Sequence, residues 1–422
     1  MHVLSTIGHG LMTSICKALL GNHKQLAFFW VVLMLYFSTA LTNAAGQVLS
    51  SARNAEKINT QVERYVSTAG DDKQDGSRER PWATLQHAAT HVVPGTRVHV
   101  APGTYWGAIM TPINGVPNAR IRFISDVRWG AIVRSSAALA VWTNDGNFVD
   151  IVGFDVSGDG SIGIFNRASG VRIIANHVHH IPAAGCTGNG GAGILNGNYS
   201  GSNNDIIGNV VHDIGERNSS CARVQGIYHS NFGGRILNNI AYGNQGYGIH
   251  TWHAASNVTI ANNLVFNNRH GGILIGTGDA PYYGSASHPA DYFLVANNIV
   301  VYNQNRFGIE ELGVTGPHNR YVNNLVYRNY PSDWKLLTGL QSGTVVADPH
   351  FLNYRPDGSG DYHLSSNSPA IGTGVNLGTP SFDIEGRDRP RDRAWDVGPY
   401  QTNAPITCPP PDMCDFDSTT TQ

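Results

Sequence analysis

Between Gly163 and Asn329 the chain is a succession of short branched-apolar runs separated by Gly and Asn, and no ten-residue stretch there carries the apolar spacing of an amphipathic helix. Many short strands joined by tight corners are predicted. One segment recurs: two Asn, a branched apolar residue, Val or Ala, two variable residues and a further Asn. Full copies run from Asn238, Asn262, Asn297 and Asn323, and looser ones stand near Asn176 and Asn209. Taking Asn176, Asn209, Asn239, Asn263, Asn298 and Asn324 as markers gives intervals of 33, 30, 24, 35 and 26 residues. A second series, Gly-Ile at Gly163, Gly193, Gly226, Gly248, Gly272 and Gly308, keeps step with the first. Two series in phase define a repeat whose bare unit is the 24-residue interval.

A unit of that length, holding several short strands and Gly or Asn corners, fits one coil of a right-handed parallel β-helix. The expected fold class is therefore all-β, a single-stranded right-handed parallel β-helix. Ile164, Val178, Ile227, Ile249, Val265 and Ile273 are expected to point inward and stack coil upon coil. The repeated Asn residues are assigned to structure, since Asn tolerates left-handed backbone and bonds a stacked twin.

Composition narrows the function. Gly is 49 of 422 residues, about 12% where ~7% is usual. Lys occurs five times and net charge is −2, with no basic run after the leader, so nucleic acid is excluded as a partner. An apolar run over residues 26–37, preceded by Lys17, His23 and Lys24, reads as a signal peptide cut near Ala45, the alternative being an uncleaved N-terminal anchor extended to Leu41. The expected organisation is a leader over 1–45, a linker over 46–64, the β-helix over 65–400 and a flexible tail over 401–422. The protein would be secreted or periplasmic, monomeric and free of the membrane once cut. Four cysteines remain in the mature chain, and in an oxidising compartment Cys186 with Cys221, and Cys408 with Cys414, are plausible disulfides.

Two end segments carry a resemblance. Tyr65-Val66-Ser67, Gly70-Asp71, Asp75-Gly76, Pro81-Trp82-Ala83-Thr84-Leu85-Gln86, Pro94-Gly95 and Ala101-Pro102-Gly103-Thr104-Tyr105 resemble the opening of secreted right-handed β-helix proteins, including families of polysaccharide lyases. Asp361-Tyr362-His363-Leu364, Ser368-Pro369-Ala370-Ile371-Gly372, Arg387, Pro390 and Asp396-Val397-Gly398 resemble their closing segment. The resemblance implies a solenoid starting at Tyr65, a capping helix near Ala83 to Val92, and a polysaccharide as substrate. It departs from the lyase pattern in one respect. Of Lys57, Lys73 and Lys335, none is expected within the repeating body, which disfavours a lysine base. Calcium, bound by other β-helix lyases, has no clear site either. The best acidic loop, Asp71, Asp72 and Asp75, has Lys73 at a ligand position and lacks a distal Glu, so it reads as structural.

The residue after each Gly-Ile should face solvent, giving the column Phe165, Leu195, Tyr228, His250, Leu274 and Glu310, with Trp252 on the same face. His250, Tyr228 and Glu310 are the expected catalytic groups. Arg223, Arg269, Trp252, His229, His253 and Asp279 are the expected substrate-binding ones, although His229 and Glu311 would turn inward if the strands stay regular. A neutral imidazole beside a phenol suits proton abstraction next to a carboxylate, and Arg would bind a uronate. The reaction expected is β-elimination or C5-epimerisation of a uronic-acid polysaccharide. The alternatives are glycoside hydrolysis by Glu310 with Asp279, and glycan binding without catalysis. His177, His179, His180, His212 and Asp213 form a separate cluster in which His179 and His212 should stack. Zinc is conceivable there, but spacing alone gives no tetrahedral set, and no metal is assigned.

Overall fold

The structure, a computed structural model, describes residues 61–410 apart from 138, 184–189, 217–221 and 278–287. The leader and its cleavage site lie outside these residues, as do Cys186, Cys221, Cys414 and Asp279. Among the described residues no helix is long and apolar enough to cross a membrane.

Three parallel sheets of eleven, nine and ten strands run the length of the body, and successive strands pass from one sheet to the next. Each coil thus contributes one strand to each sheet. This is the parallel β-helix expected from the repeat. The register stacks like on like: Ile164, Ile194, Ile227, Ile249, Ile273 and Ile309 are consecutive partners in the nine-stranded sheet, all fully buried. Val178, Val211, Ala241, Val265, Val300 and Val326 form the matching row of the ten-stranded sheet. Branched side chains suit these rows because both neighbours along the row have the same shape and the pleat restricts χ1 little further.

The Asn pairs divide their work. The first of each pair, at Asn238, Asn262, Asn297 and Asn323, takes a left-handed backbone with φ of 56°, 56°, 54° and 51°. The second forms a continuous buried ladder: from Asn176 through Asn209, Asn239, Asn263 and Asn298 to Asn324, each Nδ2 donates to the next Oδ1 at 2.8–3.1 Å. The same Oδ1 also accepts from the preceding Asn backbone N–H, as Asn263 does from Asn239 at 2.8 Å. A corner between strands would otherwise strand its donors in the interior, and the ladder satisfies them. A parallel ladder runs through Asn244, Asn268, Asn303 and Asn329 and ends on Asp333.

The helix Leu85–His91 closes the N-terminal end. Thr84 caps it by accepting from the His87 backbone N–H at 3.1 Å, and Leu85, Ala88 and Ala89 are buried against the first coils. In the neighbouring acidic loop, Asp72 accepts from the backbone N–H groups of Ala83 and Thr84 and from the Thr84 hydroxyl, which occupies it structurally.

The closing segment covers two of the three sheets. Phe382 and Cys408 pack onto the outer side of the eleven-stranded sheet, against Ile174, Ile207, Leu237 and Ala261. Tyr362, Leu364, Ala370, Ile384 and Val397 cover the ten-stranded sheet over Tyr242, Leu264, Phe266 and Ile299. No residue of the nine-stranded sheet belongs to either cluster. The stretch after Gln401, expected to be a flexible tail, is held as far as Cys408. Thr402 bonds Asp396, and the Cys408 N–H donates to the Gly386 carbonyl at 3.1 Å.

Candidate active site

On the outer side of the nine-stranded sheet, register places Phe165, Leu195, Tyr228, His250, Leu274 and Glu310 in one column, as the Gly-Ile series predicts. Tyr228 and His250 stack face to face, ring centroids 4.8 Å apart and planes 9° from parallel, and both are half-buried. Trp252 meets His250 edge-on at 5.7 Å, and lies across Gly276, where an added Cβ would stand 2.8 Å from its ring. His253 stacks on Tyr199 at 4.2 Å and accepts or donates at 3.0 Å to its hydroxyl, while its ring centroid is 6.0 Å from that of Tyr228.

Strict alternation would turn Tyr247 inward, yet its ring lies 5.5 Å from His250 and 5.2 Å from His270. Gly248 is the reason. An added Cβ there would stand 2.4 Å from Val265 Cγ1, so Gly248 and Ile249 both face the interior, and the residues flanking them both face out. The next coil accommodates the Tyr247 ring with Gly271, whose Cβ would lie 2.5 Å from it. The Tyr247 hydroxyl donates to the Glu310 carboxylate, and Arg306 Nε lies 3.3 Å from both groups. Tyr247 and Glu310 are thus buried together, with the half-buried Arg306 beside both, and the second Glu310 oxygen has no partner. The sequence signal for Tyr247 and Arg306 was available in kind, an aromatic before Gly-Ile and an Arg four residues before Glu310, but the period-two rule pointed the first of them the wrong way.

Electrostatics follows burial. Loss of water pushes the His250 imidazole down to about 3, with His253 and His270 adding to the effect, so the ring is neutral at any ordinary pH. Its Nδ1 is buried without a partner. Burial first, then the charges of Arg306 and Arg269, push His270 down as well. Burial first, then the Glu310 carboxylate, push the Tyr247 phenol far above its usual value.

Several expected site residues stand elsewhere. His229 is fully buried, with Nδ1 3.0 Å from Asn196 Nδ2 and Nε2 3.0 Å from the Gly233 carbonyl, as the last member of a third ladder from Asn144 through Asn166 and Asn196. It cannot touch a substrate. Its alternation places it inward, where burial pushes it down to about 4. Glu310 is on the predicted column but fully buried, so it is no surface acid and the Glu310–Asp279 pair loses its exposed member. Glu311 is interior, accepting from Asn319, Tyr321 and the backbone N–H groups of Leu337, Thr338 and Gly339. Lys335, expected outside the body, lies on its last coil as the register partner of Glu310, its ammonium 5.3 Å from the Phe307 ring centroid. Arg223 is exposed on the loop entering the Tyr228 strand, and Arg269 is half-buried on the loop between His250 and Leu274.

The fold is a parallel β-helix, and the outer side of its nine-stranded sheet brings Tyr228, His250 and Trp252 together. Comparison with solved structures agrees on the fold. The pectate lyase Pel9A has a TM-score of 0.57 at 17% identity, covering 82% of this chain and 98% of its own. A rhamnogalacturonan lyase has a TM-score of 0.50 at 15% identity, covering 73% and 96%. An alginate lyase from Paenibacillus sp. str. FPU-7 has a TM-score of 0.48 at 16% identity, covering 60% and 95%. No protein-family model and no curated protein matches the sequence.

Proposed function

We propose that this protein is an exported lyase or C5-epimerase of uronic-acid polysaccharide, with His250 and Tyr228 as its proton-transfer pair. The observation that carries the reading is the parallel stack of Tyr228 and His250 on the outer side of the nine-stranded sheet. A neutral imidazole accepts a proton, and a phenol one coil away can return it.

In elimination His250 removes the hydrogen on C5 of the uronate. The electron pair forms the C4=C5 double bond, the C4–O bond breaks, and Tyr228 protonates the departing oxygen. In epimerisation the carbanion is reprotonated at C5 from the other face. Either course needs the uronate carboxylate neutralised, because its negative charge opposes carbanion formation. Arg269 and Arg306, the two cations that depress His270, are the groups assigned to it. His253 stands beside Tyr228, Arg223 is exposed on the loop entering the Tyr228 strand, and Trp252 supplies a stacking surface for a sugar ring. Solved structures of the same fold include a pectate lyase and a rhamnogalacturonan lyase, which supports a polysaccharide substrate.

The test is a panel of pectate, alginate and glycosaminoglycan chains incubated with the purified protein. Elimination gives the ultraviolet absorbance of an unsaturated uronate, and epimerisation changes the C5 configuration without cleavage. Both vanish in His250→Ala. New reducing ends without that absorbance would support hydrolysis, and retention on glycan without products would support binding alone. Export and the two disulfides belong to the same proposal, and are checked by the N-terminal and unreduced masses of the secreted protein.

A further inference from the structure

The outer face of the ten-stranded sheet carries a second imidazole cluster, stacked on Tyr242, which the closing segment covers. Asp155 and His177 are register partners, as are His179 and His212, and all four point outward between Trp129 and Tyr242. One nitrogen each of His177 and His179 and one oxygen of Asp155 lie within 4.8 Å of one another. The Asp155 Oδ2 atom is 2.8 Å from His177 Nδ1 and 3.1 Å from His179 Nε2. Beyond them, His177 Nε2 faces His212 Nε2 at 2.7 Å, His212 Nδ1 faces Asp213 Oδ2 at 2.8 Å, and His179 Nδ1 faces His180 Nδ1 at 2.6 Å.

Donor counting shows what this arrangement lacks. A neutral imidazole has one N–H and one lone pair. If His177 Nδ1 donates to Asp155 and His212 Nδ1 donates to Asp213, the two Nε2 atoms confront each other as bare lone pairs 2.7 Å apart. A cation bound to Asp155 and His177 Nδ1 removes the conflict. The His177 proton then sits on Nε2 and donates to His212, which donates to Asp213. His179, bound through Nε2, likewise carries its proton on Nδ1 and donates to His180. Each ligating ring would then have its other nitrogen tied to a fixed acceptor, the arrangement that orients metal-bound imidazoles.

We propose that Asp155, His177 and His179 form a binding site for one divalent transition metal of the zinc class, oriented by His180, His212 and Asp213 and separate from the Tyr228–His250 face. Two imidazole nitrogens and one carboxylate oxygen select zinc, cobalt, nickel or copper over calcium or magnesium. Tetrahedral zinc with bonds near 2.0–2.1 Å sets its ligand atoms about 3.3 Å apart, so the group opens by a few tenths of an ångström to take the ion. Solvent reaches the site: the side chains of His177, His179 and Asp155 are 21%, 12% and 13% exposed. Arg134, whose Nη2 lies 3.9 Å from Asp155 Oδ1, opposes the ion. The bound metal would pin adjacent coils together.

The test uses tag-free, chelator-treated full-length protein. With Zn²⁺, calorimetry should give one ion per chain and the melting temperature should rise. With Co²⁺, the visible spectrum should show the intense bands of a four- or five-coordinate site. His179→Gln and Asp155→Asn should each weaken binding at least tenfold, Arg134→Gln should tighten it, and His363→Gln, which alters an exposed imidazole beside Asp361 and Glu385, should leave it unchanged. Binding that survives His179→Gln, or that is lost with His363→Gln instead, overturns the proposal. So does a weak octahedral Co²⁺ spectrum on the wild-type protein, a readout that holds even where a variant fails to fold.

Discussion

His250 and His229 are alike at the level of composition and opposite in use. Both are pushed below the ordinary imidazole value by burial, His250 to about 3 and His229 to about 4. His250 is half-buried on the outer side of its sheet with a buried Nδ1 that has no partner, whereas His229 is fully buried with both nitrogens bonded inside a ladder. For His250 the neutral form is the base, and it is lost only when pH falls through the depressed value. The acid limb of kcat/KM should therefore lie below pH 5, measured as the pH profile on the best substrate of the panel. A limb near the unperturbed value of about 6.5 would mean an imidazole in water rather than the one described. For His229 the unfolded chain takes up a proton below about 6.5 while the folded one does not until about 4, so stability is complete above pH 6.5 and declines between those values. The gap corresponds to about 3 kcal/mol. His229→Asn continues the Asn ladder and removes this dependence, so denaturant midpoints at pH 5 and pH 7 should move closer together than in the wild type.

At the scale of the strand, Gly-Ile is a turn of the side-chain sequence rather than a plain pair. Because Gly248 and Ile249 both face inward, Tyr247 and His250 both reach the outer face, and Gly271 above leaves the Tyr247 ring its space. Gly271→Ala should displace that ring and with it the Tyr247–Glu310–Arg306 trio. The expected outcome is a fall in kcat of about tenfold or more with the fold retained by circular dichroism, measured beside Tyr247→Phe. Unchanged kcat in both would remove the trio from the site. The Asn markers and the inward Ile and Val rows were legible because they repeat, and each repeat meets the same neighbour in the next coil. Tyr247 and Arg306 were not legible because they occur once, and their orientation depends on a local break in alternation that only neighbouring coils reveal.

Across the whole molecule, the closing segment packs on the eleven- and ten-stranded sheets, and the proposed chemistry uses the third. The sequence showed that the segment closes the solenoid but not where it lies, since its apolar residues Tyr362, Leu364 and Val397 meet partners more than fifty residues away in the chain. The same distance hid the burial of Glu310, whose buried partner Tyr247 lies 63 residues earlier in the chain. What the face does rests on proton transfer at C5 of a bound uronate. Solvent-deuterium incorporation at that carbon, followed by NMR on substrate and product, tests it most directly. The wild-type protein should introduce deuterium at C5 or eliminate the C5 hydrogen, and His250→Gln should slow this about 10²–10⁴-fold. Turnover of the polysaccharide in which the C5 hydrogen stays in place, or exchange undiminished in His250→Gln, would contradict the account.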